Sequence, residues 1–181
     1  MSIQHISKID AATRQLDLAI RLYFQDGDVI GVHTLCGAAH GILTDLRAQS
    51  AASGRAAPSV TQTAAQRSQR KYVVKMVHDA VGFLKHANRD PKRMLRFNPR
   101  WTDFLLYDAI RIYVRLTGKI THSNIIFLLW VTSKYPTVLL FDDIVGERVA
   151  ELRRLFPRLG SAGTQKRTFL TAMENRLTPR L

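Results

Sequence analysis

From Ile9 to Leu46 apolar side chains return every third or fourth residue, and that period constrains the fold more than any other feature of the chain. The first stripe is Ile9, Ala12, Leu16, Ala19, Ile20, Tyr23 and Phe24, and the second is Val32, Leu35, Cys36, Ala39, Ile42, Leu43 and Leu46. Ser7 with Asp10 three residues on resembles a capping box, with Asp in place of Glu, and predicts a helix from about Lys8 to Gln25. Gly27 stops it, and Asp28 caps a second helix running to about Gln49. So short a turn predicts an antiparallel helical hairpin.

The helical period continues through the rest of the chain. A third helix is predicted from about Gln69 to Asn88, ending before Pro91 because proline disfavours helical backbone at the residue before it. A fourth, capped by Thr102, runs from Asp103 to Thr117 and is ended by Gly118. It buries Leu105, Leu106, Ala109, Ile110, Ile112, Tyr113 and Leu116, while Asp108, Arg111 and Arg115 pair on the opposite side. Thr121 or Ser123 opens a fifth helix to about Lys134. Its segment Ile125 to Val131 is apolar on every side, which predicts a central position; seven such residues also fit a buried strand. A sixth helix, about Ile144 to Phe156, follows Asp142 or Asp143, and a seventh runs from Thr164 to about Leu177. The expected fold is an all-α bundle of about six to seven helices. Residues 48–68 are rich in Ala, Ser, Gln and Thr and read as one long mobile linker loop between helices 2 and 3. The bundle domain is expected over residues 1–145, with 146–181 as a basic C-terminal helical extension.

The formal net charge is +13, and its placement is uneven. Lys and Arg balance Asp and Glu over residues 1–60, at 5 and 5, and over 101–145, at 4 and 4. Residues 61–100 carry 10 cations against 2 carboxylates, and 146–181 carry 8 against 3. Such blocks favour phosphate-rich partners through sequence-independent electrostatics.

Cys36 is the single cysteine, so no internal disulfide forms and a reducing compartment is expected. No secretory signal is seen among the first twenty residues, and the longest unbroken apolar run is far short of a bilayer span. The protein is expected to be cytoplasmic, away from membranes and without a cofactor; homo-oligomerisation is compatible with the sequence.

Three constellations carry chemistry. In the first, Lys92, Arg93, Arg96 and Arg100 interleave with Phe97 and Trp101, the mixture of charge for phosphate and ring for base that a single-stranded nucleic acid uses; the same pattern also fits rings that anchor the loop to the core while the cations face water. Arg153, Arg154, Lys166 and Arg167 extend this basic character at the C-terminus. In the second, His33 and His40 lie two turns apart on one boundary face of helix 2, about 10 Å along the axis, with Gly37 and Gly41 between and beside them. They are too far apart to ligate one metal ion directly. His86 and Asp90, at the end of helix 3, complete a ligand or metal candidate set. The third is His78-Asp79, a dipeptide also found in metal phosphohydrolases, for which His40 and Asp142 are the available companions.

Lys8-Ile9-Asp10 through Leu16-Asp17-Leu18-Ala19-Ile20, Ile30 to Leu35 and Phe83 to Pro91 resemble an uncharacterised bacterial family of conserved hypothetical proteins. That family pairs an Ile/Val-His-Thr-Leu segment with a Phe-Lys-His-Ala-x-Arg-Asp-Pro segment; Leu84 is inserted here, and the likeness spans roughly residues 8 to 140. It implies no activity. The hairpin is also remotely similar to the start of HEPN domains, helical bundles that include metal-independent ribonucleases. That resemblance implies catalytic roles for Arg115, on the phosphoryl charge, and His122, on a proton. The leading expectation is a non-enzymatic RNA- or DNA-binding protein. The alternatives are a HEPN-like ribonuclease and a bundle that binds a metal or small ligand.

Overall fold

The computed structural model describes residues 3–52, 75, 78–86, 91–135, 146, 147, 149–151, 154 and 166–177. Every regular element among them is an α-helix, and the protein is an all-α bundle. The elements are α1 (Lys8–Phe24), α2 (Val29–Ala52), α3 (Arg100–Thr117), α4 (His122–Lys134) and α5 (Lys166–Leu177), with further helical backbone over 78–85, 146–147 and 149–151. Ile125 to Val131 is helical, which removes the strand reading.

The helix ends follow local chemistry. Ser7 Oγ accepts the Asp10 amide at 3.1 Å and Asp10 Oδ2 accepts the Ser7 amide at 3.3 Å, a complete capping box. At the other end of α1, Asp26 takes a left-handed φ of 55°, and the Gly27 amide closes onto Leu22 O at 2.9 Å. A side chain at Gly27 would stand 3.0 Å from that carbonyl oxygen, so glycine serves the close approach while Asp26 makes the turn. Asp28 Oδ2 then accepts the Gly31 amide at 2.9 Å and opens α2.

Two boundaries depart from expectation. α2 runs to Ala52, so the first residues assigned to the linker are helical; 53–74 lie outside the described residues. α3 starts at Arg100 with Pro99 at its N-cap and no side-chain cap; Thr102 is buried inside the first turn, and Asn98 Oδ1 accepts the Arg100 amide at 3.0 Å just ahead of it. Asp142 and Asp143 also lie outside the described residues.

The cross-helix bonds define the packing. His33 meets Thr102 and His40 meets Asp108, so α2 and α3 run in the same direction. Asp17 meets Thr121 while Tyr23 and Phe24 pack on Phe127 and Trp130, so α1 and α4 also run in parallel. A parallel α2 and α3 oblige the intervening chain to travel back along the bundle, which explains why so long a connection separates them. The core is centred on Tyr23, Phe24, Phe127 and Trp130, and Val149 and Phe169 are buried in it. The C-terminal block therefore adds to the bundle's own core. α2 is long and apolar enough to cross a membrane by length and composition; in the fold it lies between α1 and α3.

Candidate functional site

Pro91 and Pro99 bracket a stretch that cannot join either neighbouring helix, and residues 93–98 are irregular. Side chains alternate as on an extended chain: Leu95 and Phe97 are half-buried, while Lys92, Arg93, Arg96 and Arg100 are exposed. Phe97 sets its ring edge-to-face on His33, with centroids 5.1 Å apart, and on Trp101 at 5.8 Å. His33 is fully buried and shares a 3.0 Å hydrogen bond through Nδ1 with Thr102 Oγ1. This histidine anchors the segment from beneath. The Arg93 guanidinium lies 5.8 Å from the Phe83 ring centroid, tying the segment's start to the 78–85 helix. The first amides of α3 are also committed, Trp101 N to Asn98 O at 2.9 Å and Thr102 N to Pro99 O at 3.1 Å.

Arg100 marks the end of the bundle to which further cations come. Asp103, one turn on and 2% exposed, accepts Tyr23 Oη at 2.6 Å, Tyr135 Oη at 2.7 Å and Lys134 Nζ at 2.9 Å. Lys166 places its ammonium 3.6 Å from the Tyr23 ring centroid. Burial pushes the Lys166 pKa below its ordinary value; Lys134 acts in the same direction, and Asp103 and Asp26 oppose it. Arg167 pairs with Asp26 at 3.2 Å and donates to Gln25 O at 3.1 Å while staying largely exposed. Arg100, Lys134, Lys166 and Arg167, from three helices, thus gather at one end, although Lys166 is half-buried on a ring. Arg154 is exposed on helical backbone, and Arg153 lies outside the described residues.

The histidine face of α2 is buried against its neighbours. His40 Nε2 donates to Asp108 Oδ2 at 3.0 Å; a carboxylate only accepts, so Nε2 carries the proton. Arg111 reaches the other carboxylate oxygen at 3.4 Å and lies over the Tyr107 ring. Arg111 makes the three-residue pair with Asp108 that the sequence suggests, and it is buried although it lies on the side opposite the apolar stripe. His78 sets its ring against His40 at 5.5 Å. Burial lowers the His78 pKa and so does His40, against smaller raising effects from Asp108 and Asp79. Gly37 lets the 78–85 helix approach: a Cβ there would stand 2.8 Å from Val81 Cγ2. The contact between His40 and His78 brings together two residues weighed as phosphohydrolase ligands, but it is Asp108 that joins them, Asp142 being outside the described residues. Among the described residues no group of three or more His, Cys, Asp or Glu is placed to hold a metal ion.

His86 is exposed just past the helical backbone, its amide bonded to Gly82 O at 3.1 Å; Asp90 lies outside the described residues. Arg115 is partly buried in the last turn of α3 and His122 is exposed at the start of α4. Gly118, left-handed at φ 66°, separates them. Asp108 and Thr102 are the histidine partners that sequence reasoning missed, because they reach His40 and His33 from 68 and 69 residues away in the chain.

No family model, curated protein or solved structure matches this chain.

Proposed function

We propose that this protein binds nucleic acid, RNA or DNA, through its phosphate backbone and without chemistry of its own. The observation that carries the reading is the row of four exposed cations, Lys92, Arg93, Arg96 and Arg100, on an irregular segment pinned to the core by Phe97 and Trp101. Lys134 and Arg167 stand at the end of the bundle where that row finishes, each paired with a carboxylate, Asp103 and Asp26, so the net positive charge there rests on the row itself. A cytoplasmic setting accords with the buried free thiol of Cys36, whose pKa burial pushes up and so keeps it in its unreactive protonated form.

The test is binding to a labelled single-stranded RNA titrated with salt in the presence of chelator, with the same RNA run on a gel. Binding that falls steeply with salt, weakens when the four cations become alanine and leaves the RNA intact is the expected result. Cleavage abolished by His122→Ala would replace this reading with the ribonuclease one. Absence of binding at low salt to this RNA and to duplex nucleic acid alike would remove both.

A further inference from the structure

We infer that the basic segment recognises double-helical nucleic acid by charge density and has no means of holding the splayed bases of a single strand. This rests on the reading that the segment binds nucleic acid at all. Proteins that hold single strands combine cations with ring faces on which bases stack. Phe97 and Trp101 are the rings that the sequence offers for this, and both are half-buried against neighbouring side chains. Phe97 lies edge-to-face between His33 and Trp101, and Trp101 packs against the hydrophobic core. His33, fully buried and bonded to Thr102, holds Phe97 from behind, so turning the ring outward would break a seat built from α2 and α3.

The amides at the start of α3 are not available as directed donors either. Helix N-termini bind phosphate through unused amides. At the start of α3 the Arg100 amide goes to Asn98 Oδ1, Trp101 N to Asn98 O and Thr102 N to Pro99 O. What a nucleic acid meets is chiefly four long cationic side chains, with the exposed Met94 among them. Long cations on flexible stems follow charge, and a duplex presents one phosphate charge per ~1.7 Å of axis, more than either strand alone. The same features leave the segment blind to base sequence, because base edges are read by fixed donors and acceptors.

The difference is measurable. If all four cations contact phosphates, the slope of log affinity against log salt attributable to them is about −3.6 on B-form DNA and about −2.8 on a single strand. Between 50 and 200 mM salt that is roughly a 150-fold loss on duplex and roughly a 50-fold loss on single strand. The experiment compares the full-length protein on a labelled duplex DNA, on one of its strands, and on a duplex of scrambled sequence, over that salt range. Expected are tighter binding to duplex than to the strand, equal affinity for the scrambled duplex, and a duplex slope that becomes shallower by about 3.6 in the Lys92→Ala, Arg93→Ala, Arg96→Ala, Arg100→Ala protein. Phe97→Leu, which keeps an apolar anchor, leaves both affinities unchanged. Single strand bound as tightly as duplex, or selectively lost in Phe97→Leu, overturns the inference while leaving nucleic-acid binding intact. No binding to any of the three at low salt removes the underlying reading instead.

Discussion

Tyr23 donates its phenol proton to Asp103 at 2.6 Å, joining the last turn of α1 to the first turn of α3. Asp103 occupies a position where an acidic residue usually faces solvent and complements the helix dipole. Here it is buried and also accepts Tyr135 Oη and Lys134 Nζ. Burial first, and the carboxylate second, raise the pKa of Tyr23 far above the ordinary phenol value, so that it stays a donor; Tyr135 is raised for the same causes. One side chain therefore fastens α1, α3 and the end of α4 beneath the proposed interface.

Replacing Asp103 with alanine should strip three donors of their shared acceptor at once. The expected loss is about 3–5 kcal/mol, the range for breaking a buried ion pair by removing one partner. Tyr23→Phe leaves Asp103 two donors and should cost only about 1–2 kcal/mol. Denaturant unfolding of the two variants checks the order; equal losses would mean that the carboxylate is not the common acceptor.

Gly37 and Gly41 lie one turn apart on α2 yet should respond oppositely to alanine. A Cβ at Gly37 meets Val81 Cγ2 at 2.8 Å and Cγ1 at 3.1 Å, and the β-branched valine has little freedom to yield. Gly37→Ala should destabilise by about 1–3 kcal/mol, and Val81→Ala in the same chain should relieve the clash. Around Gly41 the nearest atom is Lys85 Nζ at 4.0 Å, so Gly41→Ala should stabilise by about 0.5–1 kcal/mol through helix propensity. The shift in urea midpoint gives both signs directly.

These contacts mark how far the sequence could be read. The Ser7 and Asp10 box, the Gly118 stop and the stripe from Ala12 to Phe24 follow from local chemistry, and the structure has them where the pattern puts them. α2 was harder. Its apolar stripe predicts one buried face, yet Leu35 and Ile42 are only half-buried while His33, Gly37 and His40 are covered. The reason is tertiary: α3 and the 78–85 helix both pack on α2, and Thr102, Asp108 and Val81 arrive from 44 or more residues away in sequence. The interleaving of Phe97 and Trp101 with cations was equally legible as composition. That these rings could anchor the segment was open from the pattern; that Phe97 seats against His33 was not, because the two lie 64 residues apart.

His78, exposed to water but pressed against His40, gives stability a small dependence on mild acid. Its pKa in the folded protein lies below the ordinary 6.5, chiefly through burial and then through His40, with Asp108 and Asp79 opposing. As pH falls below about 6.5 the unfolded chain takes up this proton before the folded one does, so its contribution to stability is full above that pH and declines beneath it. His78→Gln should flatten that decline. Thermal unfolding of both proteins between neutral pH and about pH 5 tests it, and parallel curves would exclude His78 as the source.

Asn124, in the first turn of α4, is fully buried, and neither atom of its side-chain amide has a hydrogen-bond partner. An amide in that state costs about 1–3 kcal/mol. Asn124→Leu keeps similar volume and removes the polar atoms, so it should raise stability by about 1–2 kcal/mol. An unchanged or lower unfolding midpoint would show that the amide is satisfied in solution.

The docking of α5 separates the weight of apolar burial from that of charge. Phe169 is 2% exposed and lies nearly parallel to Phe24, at 11° and 6.2 Å. Phe169→Ala should cost about 3–5 kcal/mol, lowering the unfolding temperature by roughly 10 °C in a chain of this size. Arg167 contacts Asp26 just beside it, but both side chains are more than half exposed, at 73% and 56%. Water screens such a pair, and Arg167→Ala should cost less than about 1 kcal/mol. Trp130 packs on Phe24 at 5.9 Å, so its fluorescence follows the seat that Phe169 fills. A red-shifted emission in Phe169→Ala but not in Arg167→Ala is expected if the ring holds α5 in place. The same shift in both would mean that the exposed pair, and not the stacked rings, secures the helix.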